Sequence, residues 1–151
     1  MPRNIAFRTM VGAFLALLPA VATAQDVHVA KTSGCGCCVA WMEHMEEHGF
    51  RTVGEDMFGG ALVRLKLEKG VPAGMASCHT ATVDGYVIEG HVPADDVRRL
   101  LQERPDAVGL AVPDMPLGSP GMDFGNRTEP YEVHLINRDG TTEVFTSYPA
   151  E

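Results

Sequence analysis

The sequence predicts an α/β fold in the order β-α-β-α-β-β-α, followed by a C-terminal loop and a β-hairpin extension. Three observations predict it. Short β-rich runs alternate with segments whose apolar residues recur every three and four positions. Gly or Pro stands where each helical segment should stop. Two tight-turn signals, Asp84-Gly85 and Arg138-Asp139-Gly140, each separate a pair of β-rich runs.

Residues 1–24 are predicted to lie outside that fold. Arg3 and Arg8 precede an apolar run from Met10 to Leu18, and Ala22-Thr23-Ala24 forms a small-x-small cleavage site. This is the layout of a secretory signal peptide. Pro19 interrupts the run, which is shorter than the ~20 residues a membrane span needs. A first strand is expected over 27–31. Thr32-Ser33-Gly34 follows as a loop with a hydroxyl N-cap candidate. A first helix over 37–48 places Cys38, Trp41, Met42 and Met45 on one face and stops at Gly49. A second strand over 50–55 and a second helix over 62–69 follow, with the stop at Gly70. The runs 81–84 and 86–90 form a hairpin. Pro93, Ala94, Asp95 and Asp96 open a third helix whose inner face is Val97, Leu100 and Leu101; Pro105 ends it. Residues 112–126 read as a Gly/Pro-rich ordered loop, and 131–136 with 143–148 as a last hairpin.

At 151 residues and 45% hydrophobic, the chain has the size and composition of one globular domain. Its net charge of −8 argues against nucleic-acid binding, which needs a broad basic face. Removal of the leader takes away two arginines and deepens the charge to −10. No later stretch is long and apolar enough to span a bilayer. The short leader with two arginines looks bacterial and points to the periplasm or the medium, the periplasm being the expected destination, with no membrane association after cleavage.

The compartment gives the four cysteines two readings. In an oxidising space the simpler one is a pair of structural disulfides. Spacing opposes it. Cys35, Cys37 and Cys38 fall within four residues, and a bridge inside that cluster closes almost no loop. Crowded thiols therefore read as chemistry. Their place, in the turn from the first strand into the first helix, is shared with the thioredoxin fold, and Cys35-Gly36-Cys37-Cys38 contains a Cys-x-x-Cys. Thiols at a helix N-terminus favour the thiolate, which is both redox nucleophile and metal ligand. Three features favour metal. A disulfide enzyme needs two sulfurs, and a third invites wrong pairings. Cys78, just before the third strand, would face the same turn in a thioredoxin-like chain. Methionines at 42, 45, 75, 115 and 122 join His79 and His91, and soft sulfur ligands select Cu(I), with zinc and iron–sulfur clusters as competitors.

The blocks Cys35-Gly36-Cys37-Cys38 with Trp41, Gly70-Val71-Pro72, Ser77-Cys78-His79-Thr80-Ala81 and residues 85–93, 109–113 and 115–122 occur in an order that resembles one bacterial family. It comprises periplasmic metal-binding proteins once known only as a domain of unknown function, among them the CopG-type copper-resistance proteins. The resemblance implies a thioredoxin-like fold, a sulfur-rich copper site and a role in copper handling, including interconversion of Cu(I) and Cu(II). It implies Cys35, Cys37, Cys38 and Cys78 as the metal thiolates. Asp114 departs from the family, which usually carries Gly there; the departure bears on the loop backbone, not on the cysteines.

Other residues carry two readings each. Trp41, Met42 and Met45 at helical spacing read as core first and as site second. His44 and His48, four apart, fit a chelate, but Glu43, Glu46 and Glu47 around them suggest a solvated face. His79, His91, Met115 and Met122 are expected as further metal ligands, set against structural roles. His28 and His134 have no supporting context. The expected function is a secreted copper protein holding several Cu(I) ions on bridging thiolates, with other periplasmic copper-handling proteins as partners. The alternatives are a thiol–disulfide oxidoreductase acting on exported proteins and a structural zinc module; zinc prefers separated ligand pairs over one crowded triplet.

Overall fold

The computed structural model describes residues 25–125 and 127–150, so the leader reading for 1–24 falls outside the described residues. Seven strands form one sheet and three helices pack on it. In chain order they are β1 (Asp26–Thr32), α1 (Gly36–Glu47), β2 (Arg51–Met57), α2 (Gly59–Glu68), β3 (Thr80–Val83) and β4 (Tyr86–Glu89). Then come α3 (Ala94–Glu103), β5 (Ala107–Ala111), β6 (Tyr131–Asn137) and β7 (Thr142–Tyr148). The strand order is β2-β1-β3-β4-β5-β6-β7. β1 runs parallel to β2, β4 parallel to β5, and the other neighbours are antiparallel.

The expected element order holds through α3, and the strand count is larger than expected. β5 is the addition. Its Ala-Val-Gly-Leu-Ala run has no alternation and little β-branching, so nothing in it marks a strand. It is nevertheless buried almost throughout, because it lies between β4 and β6. It also joins the terminal hairpin, expected as an extension, to the main sheet. The hairpin is held by α3: Asp96, near the start of that helix, accepts hydrogen bonds from Thr146 Oγ1 at 2.5 Å and Tyr148 Oη at 2.7 Å.

Sheet alternation separates two faces. β3 and β4 pair so that Ala81 is opposite Ile88 and Thr80 is opposite Glu89. Successive side chains point to opposite faces. Ala81 and Ile88 join Trp41 and Met45 of α1 and Val97 and Leu100 of α3 in the main core. Thr80 and Glu89 face the other way, toward Lys66 of α2. Met45 and Trp41 are fully buried, and the end of the Met42 side chain packs against Gly54. The core reading of all three is the one observed. Among the described residues no helix is long and apolar enough to cross a membrane.

Candidate metal site

α1 begins at Gly36, so Cys35 is its N-cap and Cys37 and Cys38 lie in its first turn. The N-cap is Cys35 and not one of the hydroxyls of Thr32-Ser33, and its side chain makes no capping hydrogen bond. Cys35 and Cys38 are joined by a disulfide with their Cα atoms 5.4 Å apart. A bridge inside the triplet was not the expected arrangement. Residues three apart face each other across one helical turn, which makes it possible. It closes only a minimal loop and so adds little as a staple. Cys37 and Cys78 keep free thiols.

The loop before β3 brings Cys78 to this turn, across 41 residues of sequence. Cys37 Sγ is 3.6 Å from Cys35 Sγ and 3.9 Å from Cys78 Sγ. All four sulfurs lie within 4.8 Å of one another, as do the ligand atoms of Cys78, His79 and His91. Cys78 is thus common to a four-sulfur group and a sulfur–imidazole group. Its Sγ is 2.9 Å from His91 Nε2 and 3.2 Å from His79 Nδ1.

The tautomer of His91 follows from its partners. Its Nδ1 lies 2.8 Å from the Pro120 carbonyl, which can only accept, so Nδ1 carries the proton. The Nε2 lone pair is then directed at Cys78. A metal-ligating histidine is oriented in this way by a carbonyl on its other nitrogen. His79 is fully buried against Trp41, with ring centroids 4.4 Å apart. Its Nε2 has no hydrogen-bond partner among the described residues. Burial, then the neighbouring His91, push His79 well below the usual imidazole range; burial lowers His91 as well. Both rings are therefore neutral, the form that ligates metal. Burial, then Cys37, push the Cys78 thiol up to about 12. It stays protonated at neutral pH unless a cation draws the proton off, which is what a soft metal ion does.

A wrap of the loop after β5 closes the site. Gly121 lies so close to α1 that a Cβ there would stand 2.7 Å from both the Cys37 carbonyl oxygen and the Trp41 nitrogen. Gly90, between β4 and His91, is likewise pressed on the Val112 carbonyl, 2.6 Å from where its Cβ would be. Asp114 has φ 60°, the left-handed region that favours glycine. Glycine, the residue that the resemblance implies at this position, would suit that backbone.

Six of the eight expected ligands therefore converge: Cys35, Cys37, Cys38, Cys78, His79 and His91. Met115, half exposed, lines a 430 Å³ cavity that also contains Cys78. Met122 is buried in the wrap, next to Gly121. His44 and His48 are used elsewhere. His44 Nε2 accepts the Ala94 N–H at the start of α3, and His48 Nδ1 lies 2.7 Å from the His44 carbonyl. His28 is exposed on β1, and His134 faces Glu132 at 3.5 Å. Sequence reasoning missed Lys66, Glu89 and the Pro120 carbonyl. Only Lys66 left a trace, as a charge four residues after Leu62 on the inner face of α2.

An α/β scaffold that gathers four sulfurs and two neutral imidazoles defines a protein with a sulfur-rich site able to hold metal. Two solved structures, titled "Copper resistance protein copG- Form 2" and "Form 1", match it with a TM-score of 0.78 and 42% identity. They cover 84% of this chain and 100% and 99% of their own. A family model described as "Protein of unknown function, DUF411" matches residues 75–122. No curated protein matches. The chain belongs to the CopG family of copper resistance proteins.

Proposed function

We propose that the protein is an exported copper-handling protein that holds Cu(I), more than one ion per chain, on the thiolates of Cys35, Cys37, Cys38 and Cys78. His79 and His91 complete the site from the buried side, and Met115 and Met122 serve as thioether ligands in the wrap. The observation that carries the reading is the gathering of four cysteine sulfurs within 4.8 Å from two distant segments. Soft thiolates select Cu(I), and shared sulfurs allow several ions in a small volume. The names of the two similar structures point the same way. The segment β1-α1-β2-α2-β3-β4-α3, with strands ordered β2-β1-β3-β4, supports a thioredoxin-like core. The leader-like residues 1–24 support a periplasmic destination, where other copper-handling proteins would supply or receive the metal.

In the form described, the Cys35–Cys38 disulfide withholds two of the four thiols. Two electrons and two protons restore them, so the full ligand set belongs to the dithiol form. That disulfide also supports a second reading, thiol–disulfide exchange with exported proteins, because a bridged Cys-x-x-Cys at a helix N-terminus is what such exchange requires. Cys37 separates the two readings, since disulfide exchange does not need it. Cys37→Ser should lower copper stoichiometry sharply under the copper reading. If Cys37→Ser retains full copper binding and efficient disulfide exchange, the second reading prevails.

A further inference from the structure

On the sheet face away from α1, a lysine and a glutamate are buried together below the Cys78 loop. Glu89 is fully buried and Lys66 is 7% exposed. Lys66 Nζ donates to Glu89 Oε1 at 2.5 Å and to Thr80 Oγ1 at 2.9 Å. The Thr80 hydroxyl donates in turn to Glu89 Oε2 at 2.7 Å. Glu89 Oε1 also accepts the Ser77 N–H at 2.7 Å.

A buried ion pair is weak evidence for stability, because apolar residues of similar volume commonly do as well. This one is distinguished by where its contacts lead. Ser77 and Thr80 bracket Cys78 and His79. Lys66 and Cys78 line the same cavity, with Asp114 and Met115. The Ser77 hydroxyl donates to the Asp114 carbonyl, tying the loop to the wrap that carries Met115.

We propose that Lys66 and Glu89 are positioning residues of the copper site: the pair fixes the backbone at Ser77 and so aims Cys78 at Cys37 and His91. This rests on the reading of Cys78 as a copper ligand.

The test uses the fully reduced protein, loaded with Cu(I) and challenged with the chelator bathocuproine disulfonate. The variant is Lys66→Met with Glu89→Gln, which removes both charges and keeps the volume. It should fold, and its copper affinity should fall about tenfold or more, as for outer-sphere partners of metal ligands. X-ray absorption should show fewer sulfurs per copper. A purely structural role would move the melting temperature without moving affinity or the sulfur count, and that result overturns the inference. Should the double variant not fold, Glu89→Gln alone carries the test, with a loss of about threefold or more expected. A folded Glu89→Gln with unchanged copper retention overturns it equally. Cys78→Ala runs alongside. If it retains copper like the wild type, the ligand reading of Cys78 fails and the inference falls with it. If it loses copper while the charge variants do not, only the inference fails.

Discussion

The molecule carries two histidine pairs that differ in everything but chemistry. His44 on α1 and His48 at its C-cap stand four residues apart, with ring centroids 4.2 Å apart; His79 and His91 flank the β3–β4 hairpin, just before β3 and just after β4, with centroids 5.2 Å apart. By spacing, the first pair is the better chelate. It is nevertheless the structural one: His44 Nε2 is occupied by the Ala94 N–H, where it caps α3. In the second pair, His91 has its proton fixed on Nδ1 by Pro120, and both rings turn a nitrogen toward Cys78. Under the proposed reading a histidine serves as ligand where its lone pair has no competing donor and faces the cluster, and sequence spacing reports neither.

The sharpest way to break this contrast is at the atom the second pair surrounds. Cys78→Ala should give a folded protein that surrenders most of its copper to a chelator, because it removes the sulfur common to both ligand groups. An inert buried cysteine would cost little and leave copper content intact.

His91→Ala should come next, with Cu(I) affinity reduced by about 10- to 100-fold in a chelator competition. The matched His44→Ala should leave copper affinity unchanged. It should instead lower stability by about 1 kcal/mol, the usual cost of removing a helix N-terminal acceptor, read by denaturant unfolding. Equal copper loss in the two variants would erase the distinction.

Acid provides a milder test. Burial, then the neighbouring His48, lower the His44 pKa, and burial lowers those of His79 and His91. Each imidazole binds its proton more readily in the unfolded chain, so unfolding takes up protons on acidification. Stability of the apo-protein should therefore be fully present above the ordinary histidine pKa of about 6.5 and fall as pH drops below it. His44→Gln should reduce that slope in a pH series of thermal melts. An unchanged slope would mean that His44 is as accessible to protons in the fold as outside it. The smallest effect belongs to His48, which is exposed and whose ring bonds back to the His44 carbonyl of its own helix. His48→Ala should change stability by less than about 0.5 kcal/mol.

Much of the fold was legible, because period and punctuation are local. Trp41, Met45, Val97 and Leu100 announced two inner helix faces, and Gly49 and Gly70 marked where helices stop. β5 was not legible, since its strand character comes from lying between β4 and β6 and not from its own residues. The cysteines were legible as a group by their crowding, and Cys78 by the order of elements. The Cys35–Cys38 bridge, the role of His44 and the Lys66–Glu89 pair were not. Each depends on which of several available partners a side chain meets, and for His44 and for Lys66 with Glu89 that partner is brought near only by folding. Asp114 stands between the two cases: its departure from the family marked the loop, while its left-handed backbone became visible only in three dimensions.

The central claim is that Cys78 and the α1 triplet bind copper together. X-ray absorption at the copper edge, on fully reduced protein titrated with Cu(I) under anaerobic conditions, tests it most directly. The account predicts more than one tightly held Cu(I) per chain, a scattering shell dominated by sulfur, and loss of sulfur scatterers in Cys78→Ala. A titration that ends at a single weak site, or a shell made mainly of nitrogen and oxygen, would contradict it.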